Sequence, residues 1–214
     1  MNVTIIGAGN MGRGIGTRAA AGGHSVTFVD ASPETAQKAA ADVKQAAKNG
    51  AKISSASLGD VQLGDVVVLS VWYGTNIEIA KQLGDRLAGK VVVDIANPLN
   101  STYDGLATAP DSSSAEDLAK AVASGAKVVK AFNTTYASTL LAGQVSGQPL
   151  DVFIAGDDAD AKAKVAQIVT DGGLRPVDTG PLRRARQIEG MQLLHIVTQG
   201  TLGTNWGSAI KIIG

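Results

Sequence analysis

Three glycines near the start of the chain, Gly7, Gly9 and Gly12, are spaced as G-x-G-x-x-G within "IIGAGNMGRG". Glycines so spaced can hold a phosphate on bare backbone. The first permits a tight turn, the second lets a pyrophosphate approach the main chain, and the third lets the following helix lie close to the preceding strand. The helix N-terminus then turns unpaired N–H groups and its positive dipole end toward the anion. The pattern alone is common, but its company here is specific: an apolar run at Val3 to Ile6, an Ala-rich segment at Asn10 to Ala21, and a second apolar run at Ser25 to Val29 that stops on Asp30. A carboxylate about 20 residues past the glycines accepts hydrogen bonds from an adenosine ribose, which favours NAD over the 2′-phosphate of NADP. Two features leave NADP open. Asp30 could instead cap the helix that begins at Pro33, and Arg13 or Arg18 could accommodate a 2′-phosphate.

Further along, "SVWYGTN" (Ser70 to Asn76) and "ANPLN" (Ala96 to Asn100) each follow an apolar run, so Trp72, Tyr73 and Asn97 are candidates to flank the dinucleotide and its nicotinamide. Acid–base machinery is harder to find. Of the two histidines, His24 falls in the turn before the second strand and reads as a surface residue, while His195 in "MQLLHIV" reads as a packed helix residue. No Ser/His/Asp set, metal spacing or Tyr-x-x-x-Lys pair occurs, and no catalytic side chain is assigned. Hydride transfer between two redox cofactors asks for apposition more than for a side-chain acid. The basic cluster Arg183, Arg184 and Arg186, at the start of the last helix, is placed to meet an anionic second cofactor.

The elements that position these residues alternate strand and helix. Uninterrupted apolar runs at Asp65 to Val71 and Lys90 to Ala96 read as strands covered on both faces. Ala126 to Phe132, Asp151 to Gly156 and Leu174 to Asp178 add three more. Helices are expected at Pro33 to Gly50, Asn76 to Leu87, Ser114 to Ala123 and Ala159 to Thr170, with a last one running to about Gly200. The expectation is an α/β, Rossmann-like, doubly wound and mainly parallel sheet with a short C-terminal helical segment. Residues 1–180 would form the dinucleotide-binding domain and 181–214 the segment that closes a second-cofactor cleft. Nineteen basic residues balance nineteen acidic ones, so no overall field draws nucleic acid or an anionic membrane. Absence of cysteine excludes disulfides and thiolate chemistry. With no apolar stretch of membrane-spanning length and no leader-like start, a cytoplasmic protein is expected. Ile210, Ile212 and Ile213 suggest a homodimer.

The stretches "GAGNMG", "SVWYG", "KVVKAFNTTYASTL", "DVFIAGDD" and "LRPVDTGPLRRARQIEGM" together resemble the NADPH-dependent F420 reductase family over nearly the whole chain. The resemblance implies a pyridine nucleotide on the sheet and the deazaflavin F420 in a cleft closed by the C-terminal segment, with hydride passing between the two rings. It puts Gly9, Asn10, Met11, Trp72 and Asn97 at nucleotide-facing positions and Arg186 at a position facing the deazaflavin. Gly7, Gly12, Asp30, Ala31, Ser70, Pro98 and Asn133 complete the expected cofactor-binding set. Two departures stand out. Asp30-Ala31-Ser32 replaces the Ser-Arg pair of members that prefer NADP, and Gly190 stands where some relatives carry a small hydroxyl residue. Related metalloreductase domains use a flavin and share "KAFNT", so F420 or a flavin is the expected second cofactor. Two other readings compete. One is a reductase of a small imine or hydroxy acid, against which the short C-terminal segment argues; the other is a non-catalytic NAD(H)-sensing module.

Overall fold

A computed structural model describes residues 1–214. In chain order the first half contains β1 (Asn2–Ile6), α1 (Asn10–Ala21), β2 (Ser25–Val29), α2 (Pro33–Lys44), β3 (Ile53–Ala56), β4 (Val66–Leu69), α3 (Thr75–Leu83), β5 (Val91–Asp94) and α4 (Ser114–Ala121). The second half contains β6 (Lys127–Lys130), α5 (Ala137–Ala142), a hairpin of β7 (Gln144–Val145) and β8 (Gln148–Pro149), then β9 (Asp151–Gly156), α6 (Ala159–Asp171), β10 (Arg175–Asp178), α7 (Ala185–Val197) and α8 (Gln199–Leu202). Eight strands form one sheet in the order β10-β9-β6-β5-β4-β1-β2-β3. All neighbours are parallel except β6 and β9, so the sheet is mainly parallel, as the sequence led us to expect.

Strand periodicity divides the core into two layers. Val66 and Val68 of β4, with Ile5, Val91, Val93 and Val129, face α1, α2, α5 and α6. Their alternates Val67 and Leu69, with Ile6, Val92 and Val128, face α3 and α4. Successive side chains point to opposite faces, so a strand covered on both sides must be apolar at every position. Small residues at Ala19, Ala20, Ala36 and Ala39 bring the helices close to the sheet. Helix starts are fixed by side-chain oxygens: Ser32 accepts from Thr35 N, Ser113 from Glu116 N and Asp158 from Ala161 N.

Several expected boundaries shift. Helix α2 ends at Lys44 rather than Gly50: Ala46 N and Ala47 N bond back only three residues, to Val43 O and Lys44 O, and Lys48 N turns away to Ala20 O. Helix α3 stops where Gly84 takes φ 49°, and Gly84–Leu87 continues as a 3-10 turn. Between β10 and α7, Leu182–Arg184 likewise forms a 3-10 turn. Strand β3 and helix α5 are additions to the expected set. The β7–β8 hairpin turns on Ser146 and Gly147, both at positive φ, the geometry that matches strand twist. No helix is long and apolar enough to cross a membrane.

Candidate functional site

The strand order reverses at β1, where β4 lies on one side and β2 on the other, and this is the place where open α/β sheets bind ligands. A cleft of about 500 Å³ opens there. Its floor is the strand C-termini. Gly9, Asn10 and Met11 come from the β1–α1 loop, Ser70, Val71 and Trp72 from the end of β4, Ile95, Ala96 and Asn97 from the end of β5, and Asn133, Thr135 and Tyr136 from the end of β6. Leu99 and Tyr103 border it from the loop between β5 and α4, and Gln192 and Ile196 of α7 and Trp206 complete its wall.

Each motif glycine has its own steric reason. Gly7 sits at φ 97°, and a Cβ there would lie 2.2 Å from Ser70 O. A Cβ on Gly12 would lie 2.1 Å from Gly7 O. These two hold the turn tight. Gly9 differs: a Cβ would meet nothing within 4 Å, because the residue faces the open cleft. It is the N-cap of α1, no side chain caps that helix, and its first turn carries no acidic residue. The free N–H groups of α1 and the bare backbone at Gly9 therefore form a site that a pyrophosphate fits.

Past the end of β2 a second cavity, of about 340 Å³, is bordered by Asp30, Ala31, Pro33, Ala36, Gln37 and the stretch Ser55 to Leu58. Asp30 accepts from Ala8 N at 2.8 Å and from Ser32 N at 3.1 Å, so it ties the glycine loop to the rim of this cavity. The cap of α2 is Ser32, not Asp30. Neither arginine considered for a 2′-phosphate borders the cavity. Arg13 is engaged by Asp42 and Asn10, and Arg18 by Leu141 O.

Other sequence candidates divide. Asn97 and Asn133 clamp the cleft floor, Asn97 Nδ2 donating to Asn133 O and Asn133 Nδ2 to Asn97 Oδ1. Pro98 is buried beside the floor and only its carbonyl is engaged, by Ala107 N. Trp72 is 73% exposed at the rim. Tyr73 turns away and donates to Asp117. Arg186 also departs from expectation: its guanidinium makes a bidentate pair with Glu116 and does not line the cleft, because α7 docks that face on the start of α4. His24 is not a surface residue. It is buried between the chain's N-terminus and Asp171, each 3.1 Å away, and burial, with the nearby ammonium, lowers its pKa. His195 is packed as expected, bonded to Gln192 and Ser208, and burial lowers its pKa.

Four buried polar atoms at this sheet edge have no partner: Ser70 Oγ, Asn133 Oδ1, Thr134 Oγ1 and Tyr136 Oη. Native interiors rarely leave such atoms unpaired, so their grouping marks a place built for a polar ligand. Three of the four residues line the cleft. Burial pushes the Tyr136 phenol up to about 12, against the opposing pull of the neighbouring Gln192 side chain. Phe132, at φ 64°, is the strained residue that turns the chain so that residues 133–136 lie beneath the cleft.

One cluster lay beyond the sequence reading. Lys130, Asp94 and Glu189 are fully buried and meet under the cleft floor. Lys130 Nζ donates to Asp94 at 2.9 Å, to Glu189 at 2.6 Å and to the carbonyl of Ala96. Asp94 Oδ1 accepts from Asn76 and Ala96 N, and Glu189 Oε2 from Ser114 N. Burial pulls the Lys130 ammonium down, but the two carboxylates outweigh it and the pKa is raised. Burial raises Glu189 against the opposing pull of Lys130. The cluster fastens the ends of β5 and β6 to α7, and so couples the floor of the cleft to the wall residues of α7.

The family model described as "NADP oxidoreductase coenzyme F420-dependent" matches residues 2–98. The F420-dependent NADP reductase of Methanocaldococcus jannaschii is 30% identical over 207 residues, covering 92% of this chain and 91% of its own. Metalloreductase STEAP3 of Rattus norvegicus is 30% identical over 191 residues, or 89% of this chain, which spans 36% of the metalloreductase's length. Among solved structures, a putative F420-dependent NADP reductase from Arthrobacter is 31% identical, with a TM-score of 0.81 over 99% of each chain. Imine reductases and a pyrroline-5-carboxylate reductase at 15–17% identity share the fold alone. A glycine loop open to a pyrophosphate, a cleft with orphaned polar atoms and end-to-end similarity to these reductases lead to one assignment: the chain belongs to the F420-dependent NADP reductase family.

Proposed function

We propose that the protein is an oxidoreductase that transfers hydride between a nicotinamide dinucleotide and F420 or a flavin. The observation that carries this reading is the cleft at the switch point. It offers an uncapped helix N-terminus at Gly9, unpaired polar atoms for ring edges, and no carboxylate, ammonium or imidazole among its lining residues. Such a lining suits direct exchange between two apposed rings, which asks for orientation rather than a proton donor. The bound cofactors supply the hydride chemistry; the chain binds and aligns them. In this reading Gly7, Gly9, Asn10, Met11 and Gly12 hold the pyrophosphate, Asp30 and Ala31 the adenosine ribose, and Ser70, Trp72, Asn97 and Asn133 the nicotinamide end. Residues 181–214 close the cleft over the dinucleotide domain, 1–180.

NADH is the preferred nucleotide on this reading. Asp30 borders the second cavity and no lysine or arginine does, an arrangement that favours ribose hydroxyls over a phosphate. We place the chemistry in the cytoplasm and assign a homodimer, supported by the exposed apolar side chains of Leu194, Val197, Leu202 and Ile213. The test is absorbance-monitored oxidation of NADH and NADPH with F420, with FMN and with no acceptor, on the parent and on Asp30→Asn. NADH should be the better donor, and the variant should move the kcat/KM ratio toward NADPH by about 1–3 kcal/mol, the scale of one charged hydrogen bond. An unchanged ratio removes Asp30 from nucleotide choice. No hydride transfer to either ring overturns the function.

A further inference from the structure

We infer that Trp206 is the stacking wall for the second redox ring, and so a residue that holds a planar tricyclic acceptor in this cleft. The inference rests on the two-cofactor reading above and begins from strain. Asn205 (φ 47°) and Trp206 (φ 62°) are consecutive non-glycine residues in the left-handed region, a conformation that bulky side chains reach only when their surroundings impose it. The imposing contacts are visible. Gln199 Oε1 accepts from Trp206 N and from Thr204 Oγ1, and Ser138 Oγ donates to Trp206 O. Ser208 Oγ lies 2.7 Å from His195 Nε2, and Gln199 Nε2 donates to the same oxygen. Farther on, Lys211 Nζ and Ile212 N both donate to the buried Asp151 carboxylate. Residues 204–212 thus form a strap tied down on both sides of Trp206.

The strap does not bury its tryptophan. Trp206 is 51% exposed, lines the cleft, and meets the Tyr136 ring edge-on at a centroid distance of 5.2 Å. A chain folding for core packing alone would hide its largest apolar side chain. This one strains its backbone to hold an indole at a cleft wall, where a planar ligand would cover it. The chain has two tryptophans, and both line this cleft. Trp72 follows β4, among the strand ends assigned to the dinucleotide. Trp206 comes from the C-terminal strap and lines the cleft together with Gln192 and Ile196 of α7, residues that the dinucleotide assignment does not use and that are left for a second ring. Aromatic stacking recognises a π-face rather than a particular substituent, so the wall accepts a tricyclic ring of deazaflavin or isoalloxazine type.

The test compares the parent with Trp206→Leu and Trp206→Phe. F420 and FMN are titrated separately and followed by their own emission, which a contacting indole quenches; the affinity for NAD⁺ and the thermal midpoint are measured alongside. The leucine variant should bind F420 or FMN about 5- to 150-fold more weakly than the parent, the span seen when an aromatic is removed from under a stacked base. The phenylalanine variant should recover most of that loss, while NAD⁺ affinity and thermal midpoint stay at parent values in both. Recovery by an aromatic but not by an aliphatic of similar bulk separates stacking from simple filling. Leucine binding either ring as tightly as the parent overturns the inference and leaves the two-cofactor function standing. A parent that binds neither ring overturns both.

Discussion

Replacing Lys130 with methionine removes the one cation from a buried cluster that holds two carboxylates. All three side chains are fully buried, so no water reaches the pair left behind. Asp94 keeps its bonds from Asn76 and Ala96 N, and Glu189 keeps its bond from Ser114 N, but neither retains a countercharge. Breaking a buried ion pair by deleting one partner costs about 3–5 kcal/mol. At about 2–4 °C per kcal/mol for a chain of this size, the melting temperature should fall by roughly 6–20 °C. The deficit should depend on pH in a definite direction. Glu189 already has a raised pKa from burial, and losing Lys130 removes the main pull against that rise. A carboxyl whose folded pKa is raised binds its proton more tightly in the native state, so stability is retained near its unfolded value and lost as pH climbs through the folded one. Melting of parent and variant, followed by far-ultraviolet circular dichroism at pH 5 and pH 8, should therefore show the smaller gap at pH 5. Adding Glu189→Gln to Lys130→Met should recover part of the loss at pH 8. A single variant that melts within about 2 °C of the parent at both values, or whose deficit widens in acid, would refute the claim that charge pairing holds this cluster together.

Two further outcomes follow from the same structure. Gly9→Val should leave the fold intact, because nothing lies within 4 Å of its Cβ position, yet weaken dinucleotide binding by calorimetry about 10- to 150-fold through loss of at least one charge-assisted bond; Gly12→Ala, aimed 2.1 Å from Gly7 O, should instead lower the melting temperature. Asp151 is buried, and Arg175, Ile212 N and Lys211 outweigh that burial to hold its carboxyl at about 2. Because that value lies below the unfolded one, the carboxylate's stabilisation is present from neutral pH down to about 4 and fades as pH falls toward 2. Asp151→Asn should thus lower stability by about 1.5–3 kcal/mol in urea unfolding at pH 7 and by little near pH 2.

What the sequence reveals and hides has a physical pattern. The sheet was legible because strands covered on both faces are apolar at every position, as "VVVL" at β4 and "VVVD" at β5 are. Strand β3 was not, because Ile53–Ala56 is an edge strand with two serines and no apolar run. Lys130 ends strand β6, where a lysine ordinarily marks emergence into solvent; only its pairing with Asp94 at the end of β5 and Glu189 inside α7 makes it internal. The one available signal was that Asp94 and Lys130 interrupt apolar stretches, "VVVDIA" and "VVKAF"; Glu189, within "RQIEGMQ", gives no such signal. His24 looked exposed because the turn around it is glycine-rich, yet the N-terminus and Asp171 enclose it. Arg186 looked free for a ligand because its partner Glu116 lies 70 residues earlier.

The two sides of the cleft differ in the same way. In the proposed function the dinucleotide side is mostly backbone: a turn, a helix start and strand ends, set mainly by glycine spacing and local periodicity within the first hundred residues, with Asn133 added from the end of β6. The family model ends at residue 98, just past Asn97, and so contains Gly9, Asp30, Ser70 and Trp72 but none of Tyr136, Gln192 or Trp206. Those three come from separate segments of the second half and meet only because α7 is fastened to the sheet through Glu189 and the strap is fastened through Asp151. A side built from tertiary contacts can change ligand without disturbing the phosphate turn. That separation fits a chain about 30% identical both to an F420-dependent NADP reductase and to a metalloreductase. On the two-cofactor function proposed above, the choice of hydride partner rests with side chains that no local motif encodes.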